Sequence, residues 1–429
     1  MLLRTLIPLY LLCFIVAVAP CRVSAQVPVE QRTPETNEIT LKDLLRAAAE
    51  NNPEIKAAEQ SEAASKAVIP AAGALPEPTV KFESMGHFAP PSLMKGDPSS
   101  ARAYGVEQEI PFPGKLGIKE DIAAAEAEGQ LWNRQLVSRK VVSDLKQAFY
   151  DLYLVRKSID ILMENKGLLE NFEHIAESRY SVGQTIQQDV IKAGVEISKV
   201  LDRLLVEGRK KRIAEARINN LLNRPPETPV GKPAEFPKAE IGYSIEELIQ
   251  FALNNSPAVK IQESEIARRQ HGVDLARKEY YPDFAVGFTY YERDQNPGMY
   301  GLMVSAKVPL YFWKKQRPEL EAARLNLSSA RSTRDSTSST VLYQVREAFS
   351  TATTAEKLSR LYSSAIVPQA NLALNSAIAN YQVGKIDFLQ LIDSSVSLLD
   401  YKLKYYEATV EFHKALAQLE PLIGMELTR

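Results

Sequence analysis

A long stretch without proline most constrains how this chain can fold. Residues 116–222 contain no proline, whereas Pro113 precedes the stretch and Pro225 follows it. Proline ends helices because it lacks a backbone N–H, so the stretch has a stop signal on each side. A helix over residues 116–180 would be about 100 Å long, at 1.5 Å per residue. No single globular core is that thick, so the pattern predicts an extended, coiled-coil-like structure.

The sequence Tyr-Ser-Val-Gly at residues 180–183 interrupts this stretch. After it, apolar residues recur at intervals of three, four and seven, which indicates a returning helix; they are Val190, Ile197, Leu201 and Leu204. We therefore predict a long helical hairpin whose tip is at Gly183, with this glycine at positive φ.

The chain contains this unit twice. Tyr-Ser-Val-Gly at 180–183 aligns with Tyr-Gln-Val-Gly at 381–384, and Leu-Lys-Gln-Ala-Phe at 145–149 aligns with Val-Arg-Glu-Ala-Phe at 345–349. The motifs keep the same order and an offset near 200 residues, so a tandem duplication is predicted. Gly384 becomes the second tip. On the second returning arm, heptad-like apolar positions predict helix packing: Ile392, Val396, Leu399, Leu403, Tyr406 and Val410.

These matches define the expected organisation of the chain. The first repeat is predicted at residues 40–226 and the second at residues 244–424. A linker at 227–243 joins them, and a C-terminal tail occupies residues 425–429.

Each repeat also contains two segments that alternate between apolar and small or polar residues. They predict strands at about 78–86 and 103–112 in the first repeat, and at about 283–292 and 300–310 in the second. Pro111 and Pro309 mark the ends of the two second strands. The predicted fold is therefore mainly α with a small β part, in which each repeat runs helix, β-hairpin, long helix, tip and returning helix.

Four such strands have the length and alternation of membrane β-strands. Four strands cannot close a barrel with an open lumen, and unpaired strand edges are not tolerated in lipid. Closure then requires several chains. A small soluble sheet that caps a helical bundle is the alternative interpretation.

Residues 1–25 have the three parts of a secretory signal peptide: basic Arg4, an apolar run, and a small-residue cleavage site that ends at Ala25. A polar lead-in is expected at residues 26–39. Cys13 and Cys21 both lie in the predicted leader. A lipid anchor on Cys21 is the alternative to cleavage after Ala25.

Composition argues against several functional classes. The mature chain would have no cysteine, which excludes disulfides, a cysteine nucleophile and a thiolate metal site. A net charge of −1 gives no sign of a nucleic-acid surface. No catalytic or phosphate-binding motif occurs, and the histidines are scattered, so we predict no enzyme, no cofactor and no metal site; they are His87, His174, His271 and His413.

The whole-chain pattern resembles the TolC-type outer-membrane efflux proteins. The resemblance rests on the tandem repeat, the strand pairs, the Tyr-x-Val-Gly tips and the Ile-Pro-Phe-Pro-Gly-Lys corner at 110–115. It implies a homotrimer in the outer membrane, whose twelve strands close one β-barrel in contact with lipid. The long helical hairpins would continue it as a periplasmic α-barrel. It also implies two partners, a periplasmic adaptor (membrane fusion) protein and an inner-membrane pump of the RND type.

The resemblance also implies roles for particular residues. A periplasmic gate would include Asp189, Asp393 and Tyr381, with Gln390 in place of a family aspartate and Asp387 as its substitute. Adaptor docking and the hairpin turns would use the tip residues Tyr180, Val182, Gly183, Val383 and Gly384. The strand-to-helix corners would be formed by Pro111, Pro113, Gly114 and Pro309.

Two other functions stay open at this point. One is the outer-membrane component of type I protein secretion, and the other is a coiled-coil structural protein of the envelope. The corner at 110–115 also resembles family members that serve heavy-metal cation pumps, although no residue by itself identifies the cargo.

Overall fold

The computed structural model describes residues 38–86, 92–94, 97, 99–237 and 241–427. The predicted leader with both cysteines, most of the predicted lead-in, His87 and the last two residues lie outside these ranges.

The first repeat folds into four helices: α1 (Leu41–Asn51), α2 (Pro53–Gly73), α3 (Lys115–Ser181) and α4 (Gln187–Leu221). Thr40 caps α1, because its hydroxyl accepts a hydrogen bond from the backbone N–H of Asp43 at 3.2 Å. At 67 residues, α3 is as long as the proline-free stretch predicts.

The second repeat contains α5 (Ile245–Asn255), α6 (Pro257–Lys278), α7 (Gln316–Leu361), α8 (Val367–Gln382) and α9 (Phe388–Ile423). A π-helical turn at Tyr362–Ile366 separates α7 from α8, a break that the sequence analysis did not predict. Pro368 follows it, and proline can neither donate a backbone hydrogen bond nor avoid the carbonyl four residues earlier. The wider turn relieves that conflict and keeps the helix continuous.

Six strands form two sheets in the described residues. The short strands β1 (Glu38–Ile39) and β4 (Lys232–Pro233) pair in parallel, so the end of the lead-in is tied to the linker between the repeats. The main sheet is antiparallel and has the order β2-β3-β5-β6; its strands are β2 (Thr79–Met85), β3 (Ala101–Ile110), β5 (Asp283–Glu292) and β6 (Met299–Lys307).

The two β-hairpins join through β3 and β5, where Val106 lies opposite Phe288. The outer strands β2 and β6 each have one partner within the described residues. The helices repeat this order, because α2 packs on α3, α3 on α6, and α6 on α7. The sheet and the row of helices therefore each have two open edges. One edge belongs to the first repeat, at β2 and α2, and the other belongs to the second repeat, at β6 and α7.

The main sheet exposes one apolar face. On β5, Ala285 and Gly287 are buried, whereas Phe284, Val286 and Phe288 are exposed. The register places most of the large apolar residues of the four strands on the same face, which includes Val80, Phe82, Tyr104, Val106, Phe288, Leu302 and Val304. Leu302 and Val304 are 75% and 76% exposed. An apolar face of this size, uncovered in a single chain, indicates a surface that another molecule covers.

Helix α3 pairs with α4 and also packs on α9, which brings the two hairpins together. One core cluster lies along the outer half of these helices and includes Phe172, Ala193, Val200, Tyr381 and Phe388. All six heptad-like positions predicted on α9 are buried or partly buried in core clusters, as expected.

The prediction for Leu201 was wrong, since this side chain is exposed. The inward seam of α4 instead runs through Val190, Ala193, Ile197 and Val200. Leu201 follows Val200 directly and is rotated about 100° away from the seam, at 3.6 residues per turn.

A buried ion pair also connects the repeats. The Lys146 Nζ atom on α3 lies 2.6 Å from Glu420 Oε2 on α9, and both side chains are almost inaccessible. Glu420 Oε1 additionally accepts a hydrogen bond from the backbone N–H of Leu427 at 3.0 Å, which holds the C-terminal tail against α9.

Candidate functional site

Both hairpin tips end their first helix with the same hydrogen-bond motif. At the first tip, Gly183 N donates to Tyr180 O at 2.9 Å, and Gln184 N donates to Arg179 O at 2.8 Å. At the second tip, the bonds run from Gly384 N to Tyr381 O at 3.0 Å and from Lys385 N to Asn380 O at 2.9 Å. These pairs of bonds form a Schellman motif, which requires a left-handed residue at the turn.

The two tip glycines supply that residue. Gly183 has φ 73° and Gly384 has φ 74°, so the predicted positive φ is confirmed at both tips. The residues just before them, Val182 and Val383, are each 67% exposed, and Tyr180 is exposed as well. Each tip thus presents an apolar side chain on a hydrogen-bonded turn.

Arg179 of the first repeat contacts the second tip. Its guanidinium donates a hydrogen bond to the backbone carbonyl of Tyr381 and lies 4.8 Å from the centre of the Tyr381 ring. The same ring packs against Phe388 with 5.5 Å between centroids. Tyr381 is therefore buried between the two hairpins, and it joins their ends through a cation–π contact.

Burial raises the pKa of Tyr381; Arg179 opposes this shift and Asp189 adds to it. The phenol is consequently neutral at physiological pH. The contact between Arg179 and Tyr381 therefore does not depend on titration of the tyrosine.

The structure places the four candidate polar gate residues in different settings. Asp189 lies in the first turn of α4 and accepts a hydrogen bond from the Thr185 hydroxyl. Asp393 is exposed on α9. Asp387 caps α9, because its carboxylate accepts a hydrogen bond from the backbone N–H of Gln390 at 2.9 Å, and Gln390 is itself exposed. The cap gives Asp387 a structural role that the sequence analysis did not assign.

The first strand-to-helix corner is held in place by the ion pairs of a buried lysine. Pro111 and Pro113 flank the turn, and Gly114 precedes α3 with φ 90°. Lys115 is buried, and its Nζ lies 2.8 Å from Asp283 Oδ1 and 3.0 Å from a Glu279 carboxylate oxygen.

Asp283 also accepts a hydrogen bond from the backbone N–H of Phe112 at 2.8 Å. Burial of Lys115 opposes its charge, but the hydrogen bonds to Asp283 and Glu279 outweigh that effect and raise the pKa of Lys115. The corner is thus pinned to the neighbouring hairpin of the second repeat.

At the second corner, β6 ends at Lys307 and Pro309 lies two residues beyond the strand. The segment from Leu310 to Lys315, which leads into α7, is exposed and includes Tyr311, Phe312 and Trp313. The two corners therefore occupy equivalent places in the repeats but differ in packing.

Sequence reasoning did not identify Arg179 or Lys115 as site residues. Arg179 has no counterpart in the repeat, because the aligned residue is Asn380. Lys115 stands inside the corner motif at 110–115, so a basic residue that follows a proline-glycine turn was the available signal. Their partners are 164 to 202 positions away in the chain, which is why spacing alone did not reveal them.

The described residues contain no group of three or more His, Cys, Asp or Glu side chains placed to hold a metal ion.

Within the same ranges, no helix combines the length and the apolar character needed to cross a membrane.

Comparison with known proteins identifies the family. The sequence profile described as "Outer membrane efflux protein" matches residues 44–224 and 248–425, one match for each repeat. The cobalt-zinc-cadmium resistance protein CzcC of Cupriavidus metallidurans is 21% identical over 413 residues, which cover 94% of this chain and 93% of the relative.

Solved structures show the same fold. The outer membrane protein VceC of Vibrio cholerae matches with a TM-score of 0.77 at 14% identity, over 90% of this chain and 96% of that chain. The MtrE outer membrane channel of Neisseria gonorrhoeae, in its open state, matches with a TM-score of 0.75 at 16% identity, over 91% of this chain and 90% of that chain. The two profile matches, which follow the two repeats and cover most of the sequence, show that this chain belongs to the outer membrane efflux protein family.

Proposed function

We propose that three copies of this chain form an outer-membrane channel that extends into the periplasm and passively conducts the cargo of a tripartite efflux system. The observation that carries this proposal is the open sheet. Its strands β2 and β6 each lack a second partner within the described residues, and its large apolar side chains are exposed on one face. Unpaired edges beside an apolar face are not stable in lipid, so the edges must pair with further copies.

Three copies give a closed arrangement. Pairing β6 of one copy with β2 of the next produces twelve strands, with the apolar face toward lipid. The helical row α2-α3-α6-α7 closes in the same way, since the chain joins its end helices α2 and α7 to the edge strands β2 and β6. The result is one β-barrel that continues into a twelve-helix tunnel.

The hairpin tips form the periplasmic end of this channel. The exposed side chains of Tyr180, Val182 and Val383 are the docking surface for the adaptor protein. The sequence of this chain offers no nucleotide-binding motif, so the energy for transport comes from a partner. From the family resemblance, we propose that this partner is an inner-membrane pump of the RND type.

The gate lies at the same end. In a trimer, Asp189 and Asp393 each form a ring of three carboxylates, which attract cations and repel one another when unscreened. The contact between Arg179 and Tyr381 holds the two hairpins of one chain together and favours the closed state. Opening of the gate requires Arg179 and Tyr381 to separate, or the two hairpins to move together with this contact intact.

Disulfide cross-linking tests whether β6 of one copy pairs with β2 of the next. Both cysteines lie in the predicted leader, so an introduced pair reports only the designed contact. Phe82→Cys in β2, combined with single cysteines scanned through residues 300–305 of β6, should give covalent trimers on a non-reducing gel. The control pair Phe82→Cys and Tyr104→Cys lies opposite within one chain and should give no intermolecular link. A mature chain that stays a water-soluble monomer and conducts nothing in lipid bilayers would contradict the proposal.

We further propose divalent metal cations as the cargo. The relative CzcC is described as a cobalt-zinc-cadmium resistance protein, and the similarity spans both chains almost completely. Loss of the gene should lower the concentrations of cobalt, zinc or cadmium that the cells tolerate, and the wild-type gene should restore them. Unchanged metal tolerance together with new sensitivity to organic compounds would exclude this cargo.

A further inference from the structure

The contact between the two repeats inside one chain is a pattern for the contact between two chains. Within the chain, β3 pairs with β5 and α3 packs on α6. The first corner, between β3 and α3, therefore lies against the α6–β5 connection (residues 279–283), where Phe112 stacks on Tyr281 with 4.5 Å between centroids. In the proposed trimer, β6 meets β2 of the next copy and α7 meets its α2. The second corner, between β6 and α7, then lies against the α2–β2 connection (residues 75–79) of the next copy.

The two connections correspond residue by residue. The offset between the repeats is 204 at the first residues of α2 and α6, Pro53 and Pro257, and again at the first residues of β2 and β5, Thr79 and Asp283. No gap separates these points. At this offset, three residues replace those that hold the first corner: Thr79 replaces Asp283, Leu75 replaces Glu279 and Glu77 replaces Tyr281.

The two corners differ in charge in the same way as the two connections. Helix α3 begins with Lys115, which is 2% exposed and pairs with Glu279 and Asp283. Helix α7 begins with Gln316, which is 8% exposed and neutral. The buried cation and both of its carboxylates are thus replaced together by uncharged residues. This joint replacement indicates that the second corner and the α2–β2 connection meet, because losing only one side would leave a buried charge without its opposite charge.

The second corner and the α2–β2 connection also leave complementary polar groups without partners. The amide of buried Gln316 and the hydroxyl of exposed Thr79 have no hydrogen-bond partner among the described residues. Buried amides are normally hydrogen-bonded, and a hydroxyl in the place of Asp283 offers both a donor and an acceptor.

Unpaired charges are distributed in the same way. Glu77 is exposed and has no cation within 4.0 Å among the described residues. Three exposed cations of the second corner have no carboxylate within that distance in the same part of the chain; they are Lys314, Lys315 and Arg317. One edge of the chain therefore lacks a cation where the other edge lacks an anion.

We propose that the α2–β2 connection of the next copy completes the second corner, as the α6–β5 connection of the same chain completes the first. In this joint, Gln316 forms a hydrogen bond with Thr79 of the next copy, and Glu77 of the next copy pairs with the run Lys314 and Lys315. The inference rests on the proposed function, which supplies the next copy. The trimer then has three corners held within chains by buried ion pairs, and three held between chains by a hydrogen bond and an exposed ion pair.

Charge reversal tests the ion pair. In the full-length mature chain, Glu77→Lys places like charges in the joint, so trimers in detergent should dissociate faster, by about five-fold for each seam that separates. Lys314→Glu/Lys315→Glu should have the same effect. Combining all three changes should restore the wild-type rate, because the charges are then exchanged across the seam. The rate is measured from the fraction of trimer that remains on a gel after heating for increasing times.

Glu128→Lys is the matched control for the change in charge. Glu128 is exposed on α3, an inner helix of the row, and has no cation within 4.0 Å among the described residues. This variant should dissociate at the wild-type rate.

Covalent linkage tests the contact itself. With Thr79→Cys and Gln316→Cys in one chain, a bis-maleimide of about the length of a lysine side chain should link neighbouring copies, which appear as dimers and trimers on a denaturing gel. The matched pair Lys115→Cys and Asp283→Cys should remain a monomer on that gel, because these two positions meet within one chain.

Trimers that conduct, yet do not cross-link through residues 79 and 316, would overturn the joint and leave the proposed function intact. Faster dissociation of Glu77→Lys that the exchanged variant does not reverse would also overturn it, because general damage to the fold is not repaired by a second charge reversal. A wild-type chain that forms no trimer would overturn the proposed function, and this joint with it.

Discussion

At the residue scale, His413 shows how burial of a side chain makes the stability of the fold depend on pH. Its ring packs between Phe236 at 4.5 Å and Tyr150 at 5.2 Å, and its Nδ1 atom has no hydrogen-bond partner among the described residues. Burial lowers the pKa of His413 from 6.5 to about 4. The histidine is therefore neutral in the folded chain at any pH at which the channel is expected to work.

Because the folded pKa lies below the unfolded one, the unfolded chain binds the proton first as the pH falls. The stability contributed by neutral His413 is fully present above pH 6.5 and is lost between pH 6.5 and about 4, by about 3 kcal/mol in total. We predict that His413→Phe reduces this loss of thermal stability. His174→Phe, at a histidine that is 77% exposed, serves as the control and should leave the pH profile unchanged. Identical profiles for wild type and His413→Phe would contradict the assignment.

Asp393 is the second residue with a testable role. It is exposed on α9, and we propose that three copies of it form a carboxylate ring at the gate. Asp393→Ala should weaken block of the reconstituted channel by divalent cations by roughly five-fold, since a single charge contact in water is worth about 1 kcal/mol. Asp400, two turns further along α9, is already paired with Arg203 at 3.0 Å, so Asp400→Ala should change the block little. If Asp393→Ala leaves block and conductance unchanged, this residue is not part of the gate.

At the scale of elements, the long helices α3 and α9 are joined by a contact that breaks the internal repeat. Lys146 on α3 aligns with Arg346, which is exposed, and Glu420 on α9 aligns with Asn219, whose side chain instead donates to the backbone carbonyls of Pro226 and Thr228. The ion pair therefore exists in only one of the two equivalent places. It fixes how the first hairpin lies against the second.

Removal of one partner should be costly, because it leaves the other charge buried without its opposite charge. We predict that Lys146→Met alone destabilises the protein by about 3–5 kcal/mol, and that the double variant Lys146→Met/Glu420→Leu recovers most of this loss. A double-mutant cycle on thermal unfolding in detergent measures both effects. Additive losses in the double variant would show that the two charges do not stabilise each other.

Local signals explain why many elements could be predicted from the sequence. Thr40 and the prolines near 113 and 225 are start and stop signals that act within one helical turn, and the structure follows them. The π-helical turn at Tyr362–Ile366 was missed, since only the proline that follows it is visible in the sequence. The prediction for Leu201 was wrong because a spacing of three or four residues fits both Val200 and Leu201. Only the packing against the partner helix decides which of the two is buried.

At the scale of the whole molecule, the decisive feature is the exposed face of the sheet. We expect Leu302→Arg, on that face, to cost about 2–4 kcal/mol in membrane insertion, which is the usual penalty for arginine facing the middle of a bilayer. Ser305 belongs to the same strand but lies opposite buried Ala285, on the other face. Ser305→Arg should therefore insert nearly as well as the wild type, as measured by trimer yield in refolding into lipid vesicles. Equal yields for the two variants would show that this face does not meet lipid.

The sequence by itself determined the duplication, the long helical hairpins with glycine tips, and the alternation of the strands. These depend on residues within a few turns of one another, where propensity and periodicity act directly. Only the tertiary structure decided how Arg179 meets Tyr381, how Lys115 meets Asp283 and how Lys146 meets Glu420, across separations of 168 to 274 residues. Such contacts depend on the rotation and the register of each helix against its neighbour, and neither is encoded in local spacing. The same holds for the two strand-to-helix corners, which occupy equivalent places in the repeats. Within one chain, the first corner packs against the second repeat, whereas the second corner exposes its aromatic side chains.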